Sequence, residues 1–253
     1  MSKRRARAEL IRCLHRTRLE PYLEEAGRDE RSALALYQWN LQLTAAFQEV
    51  LSVTEVLLRN AIDCQLQKWN DNELGSSGSW LLTAPAAPLR SLTNSKRASA
   101  KDQADKAAAR WDAKHRRYGH VVTHDDVLAQ VTFGAWKDLL PNHVPNAGDT
   151  TSNANRVRMW NEALIHAFPH VTDPDGMTTF WRVYRLHGLR NRVSHMESLL
   201  TCEIADRARD VFDLAGSISP AARNWLTGIS RVSAVAKTRP MPTKLGALVG
   251  PIS

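Results

Sequence analysis

Residues 32–69 read SALALYQWNLQLTAAFQEVLSVTEVLLRNAIDCQLQKW, and the spacing of their apolar side chains decides the fold class. Leu36, Trp39, Leu43, Phe47, Val50, Leu51, Leu57, Leu58, Ile62, Leu66 and Trp69 recur at intervals of three, four and seven, which is one side of a long helix. Ser32 can cap its start. The cluster Asn70, Asp71 and Asn72, followed by Gly75, Ser76, Ser77, Gly78 and Ser79, ends it in a loop.

The period stays helical outward from this stretch. A charged, alanine-rich surface helix is expected over 99–116, after a Pro/Ala stretch at 84–88. Another is expected over 123–140, capped by Thr123, with Asp125 and Asp126 in a first turn where the helix dipole favours acids. A long loop over 141–155 precedes helices over 155–168, 176–193 and 201–214, and Ser219-Pro220 opens a shorter one. Valine-rich alternation is nearly absent, so no sheet and no βαβ unit is expected. The reading is an all-α chain, a helical bundle with long core helices and no internal repeat. It divides into a basic N-terminal segment (1–30), one helical domain (31–230) and a flexible, partly irregular C-terminal tail (231–253) rich in small residues and prolines.

Composition narrows the function classes. In 253 residues, 34 Lys and Arg against 26 Asp and Glu leave +8, an excess that suits a polyanionic partner. Cys13, Cys64 and Cys202 are odd in number and far apart, without the spacing of a zinc site or a disulfide framework, which fits a reducing compartment. Apolar runs such as Val56, Leu57 and Leu58 fall far short of the ~20 residues a membrane span needs. The basic N-terminus lacks the apolar stretch and cleavage site of a signal peptide, so a cytoplasmic protein with no membrane association is expected.

Familiar sites are missing. There is no GxxxxGK[ST] loop, no GxGxxG after a strand and no HExxH. His120/His124 and His166/His170 have i,i+4 spacing, but a helix opening at Thr123 leaves His120 outside it and Pro169 interrupts the second pair. Gly75-Ser76 superficially opens a nucleotidyltransferase loop, yet that fold needs a nearby alternating carboxylate pair on a strand, and Asp173-Pro174-Asp175 is remote and in a loop. No metal and no cofactor is expected.

Chemistry concentrates in Leu189-Arg190-Asn191-Arg192-Val193-Ser194-His195-Met196-Glu197. Two arginines, an amide, a hydroxyl, an imidazole and a carboxylate fall together. Asn191 and His195 share a helix face. Arg190 and His195 lie about 140° apart on an ideal helix, so they converge only if the helix ends or kinks between them, or if a second chain supplies one of them. The plain alternative is that Arg and His offset a helix C-terminus and that Arg190 pairs with Glu197.

Here a resemblance enters. Arg190-x4-His195, with Asn191 after the arginine, resembles the R-x(4–6)-H motif of the HEPN superfamily of all-α ribonucleases and nucleotide-binding proteins. Residues 189–197 look more closely like the "LRNRxxHHE" segment of the Abi (abortive infection) family of bacterial phage-defence proteins. Glu55-Val56-Leu57-Leu58-Arg59-Asn60-Ala61-Ile62-Asp63 resembles that family's "E-x-x-LRNAID" segment, and Val131-Thr132-Phe133-Gly134-Ala135-Trp136 its "LTFGxW" segment. Order and spacing agree over residues 32–239. The chain departs from the pattern at Met196, where the family usually has a second histidine, and at Ser198, where it has proline.

The resemblance implies a metal-independent RNA endonuclease acting as a toxin-like effector in abortive infection. The ribose 2′-OH would attack the adjacent phosphorus, giving a 2′,3′-cyclic phosphate and a 5′-OH, so DNA should not be cut. His195 is the candidate general acid or base, Arg190 the clamp on the phosphoryl oxygens, and Asn191 the group that orients either. Glu55, Arg59, Asn60, Arg192 and Glu197 are supporting candidates. A homodimer with a composite active site is implied, and an antitoxin, protein or RNA, is a further possible partner. The other readings are a non-catalytic module that holds RNA or a nucleotide, and a basic DNA-binding regulator that no helix-turn-helix signature supports. Basic stretches at 1–18 and 90–117, the latter with Trp111 and Tyr118, suit a phosphate backbone or a solvated face.

Overall fold

The computed structural model describes residues 3–241, with side chains from Arg5 onward. Among them the chain is all-helical, with eleven α-helices and one 3-10 turn and no strand. The helices are α1 (Lys3–Leu14), α2 (Arg16–Glu25), α3 (Glu30–Leu74), α4 (Leu89–Ala108), α5 (His124–Leu128), α6 (Phe133–Lys137), α7 (Thr150–Glu162), α8 (Met177–Ser194), α9 (Ile204–Ile218), α10 (Pro220–Ile229) and α11 (Val232–Lys237). The 3-10 turn, Leu164–Ala167, follows α7.

The stripe read in residues 32–69 is core except at Leu57, which is only half-buried. Leu36, Trp39, Leu43, Phe47, Val50, Leu51, Leu58, Ile62, Leu66 and Trp69 are all buried along one 45-residue helix. One 18-residue window of α3 is apolar enough to cross a membrane, the only such helix among the described residues. One side of it packs against protein, Leu43, Phe47, Leu58 and Leu66 being wholly inaccessible, while Leu41 and Val56 are exposed.

Two compact units emerge, each assembled from separated stretches. The first holds the chain up to Leu51, then Gly188–Arg209, then the chain from Ile229. Leu19, Tyr22, Leu23, Ala26, Ala33 and Leu36 form a buried cluster there, with Leu14, Tyr37 and Leu200 packed on it. The Tyr22 and Tyr37 rings meet edge to face at 5.2 Å. The N-terminal segment is thus two helices of this core, which its charge concealed. The start of the expected tail is ordered as well. The Trp39 indole N–H donates to the Val235 carbonyl (2.9 Å), Arg239 pairs with Glu25 (2.6 Å) and lies over the Trp39 ring, and Arg231 pairs with Glu49 (3.1 Å). Within the expected tail α11 forms, Val232 being buried and its alanines favouring helix. The rest of the expected tail, 242–253, lies outside the described residues.

The second unit holds Ser52–His187 and Asp210–Gly228. Its core is aromatic: Trp80 and Trp136 meet edge to face at 6.4 Å, and Trp160 stacks on Phe168 at 5.7 Å. The Trp69 indole donates to Glu162 (2.9 Å), tying α3 to α7, and Lys96 pairs with Asp138 (2.8 Å). Three helix expectations shift here. The helix expected over 99–116 is α4, which starts ten residues earlier, directly after Pro88, and buries Leu89, Thr93, Ala100 and Ala104. The single helix expected over 123–140 is two five-residue helices, because Thr132 opens a second N-terminus after the turn at Gln130. The helix expected from Asn155 begins at Thr150, where Asp149 accepts the Ser152 N–H (3.1 Å). Gly176 sits before α8 at φ +75°, and a Cβ there would meet the Trp160 ring at 3.0 Å. The carboxylate of Asp173, buried, accepts the Thr178 and Thr179 N–H groups (3.0 and 2.8 Å), so it anchors the start of α8.

Candidate functional site

Helix α8 ends at Ser194, between Arg190 and His195. The end is a Schellman motif: the Glu197 N–H donates to the Arg192 carbonyl (2.8 Å) and the Met196 N–H to the Val193 carbonyl (3.1 Å). His195 is the capping residue, its N–H still bonded to the Asn191 carbonyl (2.9 Å). Met196 takes the left-handed position at φ 54°, where glycine is usual; a side chain there costs about 1 kcal/mol. The helix end that convergence of Arg190 and His195 requires within one chain is therefore present.

Two residues from elsewhere in the first unit hold this turn. The Arg18 guanidinium on α2 donates to the Met196 carbonyl (2.8 Å) and, more weakly, to that of His195 (3.4 Å). Asn40, wholly buried on α3, accepts the Leu199 N–H (2.7 Å) and donates to the Glu197 carbonyl (3.4 Å). Arg192 turns inward and donates to the Ser198 carbonyl. Burial pushes the Tyr22 phenol above its ordinary pKa, a shift opposed by its hydrogen bond with Ser198 and by the nearby Arg18 and Arg192 charges. Burial likewise raises the Cys202 thiol, so it is no ready nucleophile. Arg190, Asn191 and Arg192 are half-buried, whereas His195 and Glu197 are exposed. Arg18 and Arg192 thus bind carbonyls of the turn that follows a helix C-terminus, at whose edge an accessible imidazole stands, and Arg190 lies four residues before the end of that helix.

Glu55, Arg59 and Asn60 lie on the part of α3 belonging to the second unit, with Glu55 and Arg59 half-buried and Asn60 exposed. The Arg59 Nε donates to Asn60 Oδ1 (3.3 Å). The same segment carries a residue that the sequence reading passed over. Asp63 accepts the Trp80 indole N–H (2.8 Å) and lies 3.0 Å from His124 Nε2, while His124 Nδ1 lies 2.8 Å from the Ser79 hydroxyl. The Asp63 hydrogen bond foremost raises the His124 pKa, against the effect of burial. Beside them opens a cavity of about 720 Å³ lined by Cys64, Lys68, Asp71 and Ser77 among others. By distance alone this is a Ser-His-Asp array. Ser79 Oγ, however, also accepts the Leu81 and Leu82 N–H groups (3.2 and 3.1 Å), so its lone pairs are engaged and the group reads as a clamp on the loop after α3.

The other residues singled out in the sequence have structural partners too. Trp111 stacks on His115 at 5.0 Å and lies under the Arg117 guanidinium (4.7 Å), so it is not an open platform for a base. Arg117 grips Asp126 with both nitrogens, which holds that carboxyl far below the usual carboxylate range. Lys101 pairs with Asp105 and Lys106 with Asp102, each one turn apart, so much of the 90–117 charge is spent locally. Tyr118 stays exposed. His170 uses its backbone N–H on the Ser217 carbonyl (3.0 Å). Among the described residues no three His, Cys, Asp or Glu side chains converge as a metal site would require.

Comparisons with known proteins leave the geometry to stand alone: no family model, curated protein or solved structure matches this chain.

Proposed function

We propose that the chain is a metal-independent RNA endonuclease whose working groups are Arg190 and His195, with Asn191 orienting them. The observation that supports this most is the termination of α8 at Ser194, which frees His195 from the helix while Arg190 stays within it. His195 takes the proton of a ribose 2′-OH as that oxygen attacks phosphorus, and a protonated group returns a proton to the departing 5′-oxygen. Arg190, permanently charged and fork-shaped, binds the non-bridging oxygens as negative charge grows on them. A two-fold dimer pairs the site with its copy and supplies the second acid–base group. Two Arg190 guanidiniums brought together in this way repel until an anion lies between them, which favours RNA. The proposed biological role is that of a toxin-like effector in bacterial phage defence, held in check by an antitoxin in the cytoplasm.

The test is incubation of the purified protein with RNA in excess EDTA. Cleavage should persist, and His195→Ala should keep RNA binding while losing cutting. Cleavage abolished by EDTA would contradict the mechanism. Binding without cleavage by the wild-type protein would make the chain a binding module instead.

A further inference from the structure

A cleft in the second unit, of about 320 Å³, is lined by His170, Arg182, Asp213, Gly216, Pro220 and Arg223, with Val171 and Ser217 completing it. Three helices and a loop meet there: Arg182 comes from α8, Asp213 and Gly216 from α9, Pro220 and Arg223 from α10. Its charge is unbalanced, two guanidiniums facing one carboxylate. Both arginines reach Asp213 through a single nitrogen, Arg182 at 3.4 Å and Arg223 at 3.2 Å. A well-made guanidinium–carboxylate contact is about 2.7–2.9 Å and is frequently bidentate. One turn along the same helices, Arg185 shows that geometry, gripping Asp210 at 2.8 and 2.5 Å. The difference is informative because the Arg182 side chain is only 20% exposed. A guanidinium largely covered by protein, with one long contact to a shared carboxylate, keeps hydrogen-bonding capacity directed at the cleft. Each arginine keeps donors that Asp213 does not use.

We propose that this cleft binds a small phosphoryl-bearing anion, a phosphomonoester rather than a nucleic-acid backbone. The anion bridges Arg182 and Arg223, with the His170 imidazole beside it. The volume sits at the lower end of ligand pockets and suits a compact ligand. Gly216 has a particular part in it: a Cβ there would lie 3.0 Å from the Arg223 side chain, so the absence of a side chain lets Arg223 lie along α9 and reach into the cleft. The site is separate from Arg190 and His195 and does not depend on the nuclease reading.

Calorimetric titration of the full chain with inorganic phosphate, and with 5′-AMP against adenosine as control, tests the proposal. Both phosphates should bind saturably at one site, and adenosine should not bind. Arg223→Gln, at a half-exposed position, should weaken binding at least about tenfold, the effect of one charge-assisted pair. Asp213→Asn should tighten it by about threefold or more, because a competing anion is removed. Gly216→Ala should weaken binding while the thermal midpoint holds or rises, which separates loss of the site from loss of the fold. No saturable binding up to about 10 mM phosphate, or an affinity that Arg223→Gln and Asp213→Asn both leave unmoved, would overturn the proposal.

Discussion

Two histidines at helix ends invite opposite readings. His124 opens α5 half-buried, with Asp63 on one ring nitrogen and Ser79 on the other, the distances of a catalytic triad. His195 closes α8 exposed, and among the described residues no side chain hydrogen-bonds its ring. The better-connected histidine is the poorer candidate. Acid–base catalysis needs a nitrogen that the substrate can reach, and both nitrogens of His124 are occupied by protein. Its connections make it a fastener. The openness of His195, five residues along the chain from Arg190, is what a phosphodiester requires.

The sharpest way to break this comparison is to remove each imidazole in turn. His195→Ala should slow RNA cleavage about 100- to 10,000-fold with an unchanged thermal midpoint, whereas His124→Ala should leave the rate per folded molecule within about twofold. Single-turnover assays alongside melting curves read both quantities. A reversal, with His124→Ala the slower enzyme, would move the site to the second unit.

Stability tests what holds each region in place. Asn40→Ala strips the turn after His195 of a buried bridge and should cost about 1–3 kcal/mol in chemical denaturation. Asp63→Asn leaves His124 and the Trp80 indole with a weaker acceptor and should cost about 1 kcal/mol. An Asn40→Ala protein as stable as wild type would mean that the turn is held by Arg18 and Arg192 alone.

The pH dependence sharpens the contrast further. His124 has a folded pKa raised above its ordinary 6.5, mainly by the Asp63 hydrogen bond. Its charged form therefore contributes stability in full below pH 6.5, and that contribution fades as pH climbs through the folded value. The thermal midpoint should fall over that interval in wild type and stay flatter in His124→Gln. The smallest expected effect is at Met196: glycine accepts φ 54° freely, so Met196→Gly should stabilise by about 1 kcal/mol or less without slowing cleavage.

Long-range periodicity was legible, local caps less so: Ser32, read as the cap of α3, lies inside it and donates its N–H to Asp29 (2.8 Å). All of the α3 stripe but Leu57 could be read, and Thr123, with Asp125 and Asp126 in the first turn, marked where α5 starts though not where it ends. What escaped was set by tertiary contact. The Ser/Thr/Asn run at 91–95 resembles a loop, yet Leu89 and Thr93 are buried and make it the first turns of α4. Asn40 is one polar residue in an apolar stripe, and only the folded chain shows that it serves the turn at 197–199. Arg18 counted as one charge among many until its contact with the Met196 carbonyl set it apart. Asp63 stood in plain view at the end of the "LRNAID" match, but its partners His124 and Trp80 lie 61 and 17 positions away. The motif around Arg190 was readable because its chemistry is consecutive; the turn that separates Arg190 from His195 was readable only as a requirement.

One measurement goes to the centre of the account: cleavage in EDTA of an RNA carrying a single 2′-deoxy nucleotide at the bond that wild-type protein cuts. The deoxy substitution should block that bond, and the all-ribose strand should yield 2′,3′-cyclic phosphate and 5′-OH ends. Cutting that continues at the deoxy position and leaves 5′-phosphate ends would contradict it.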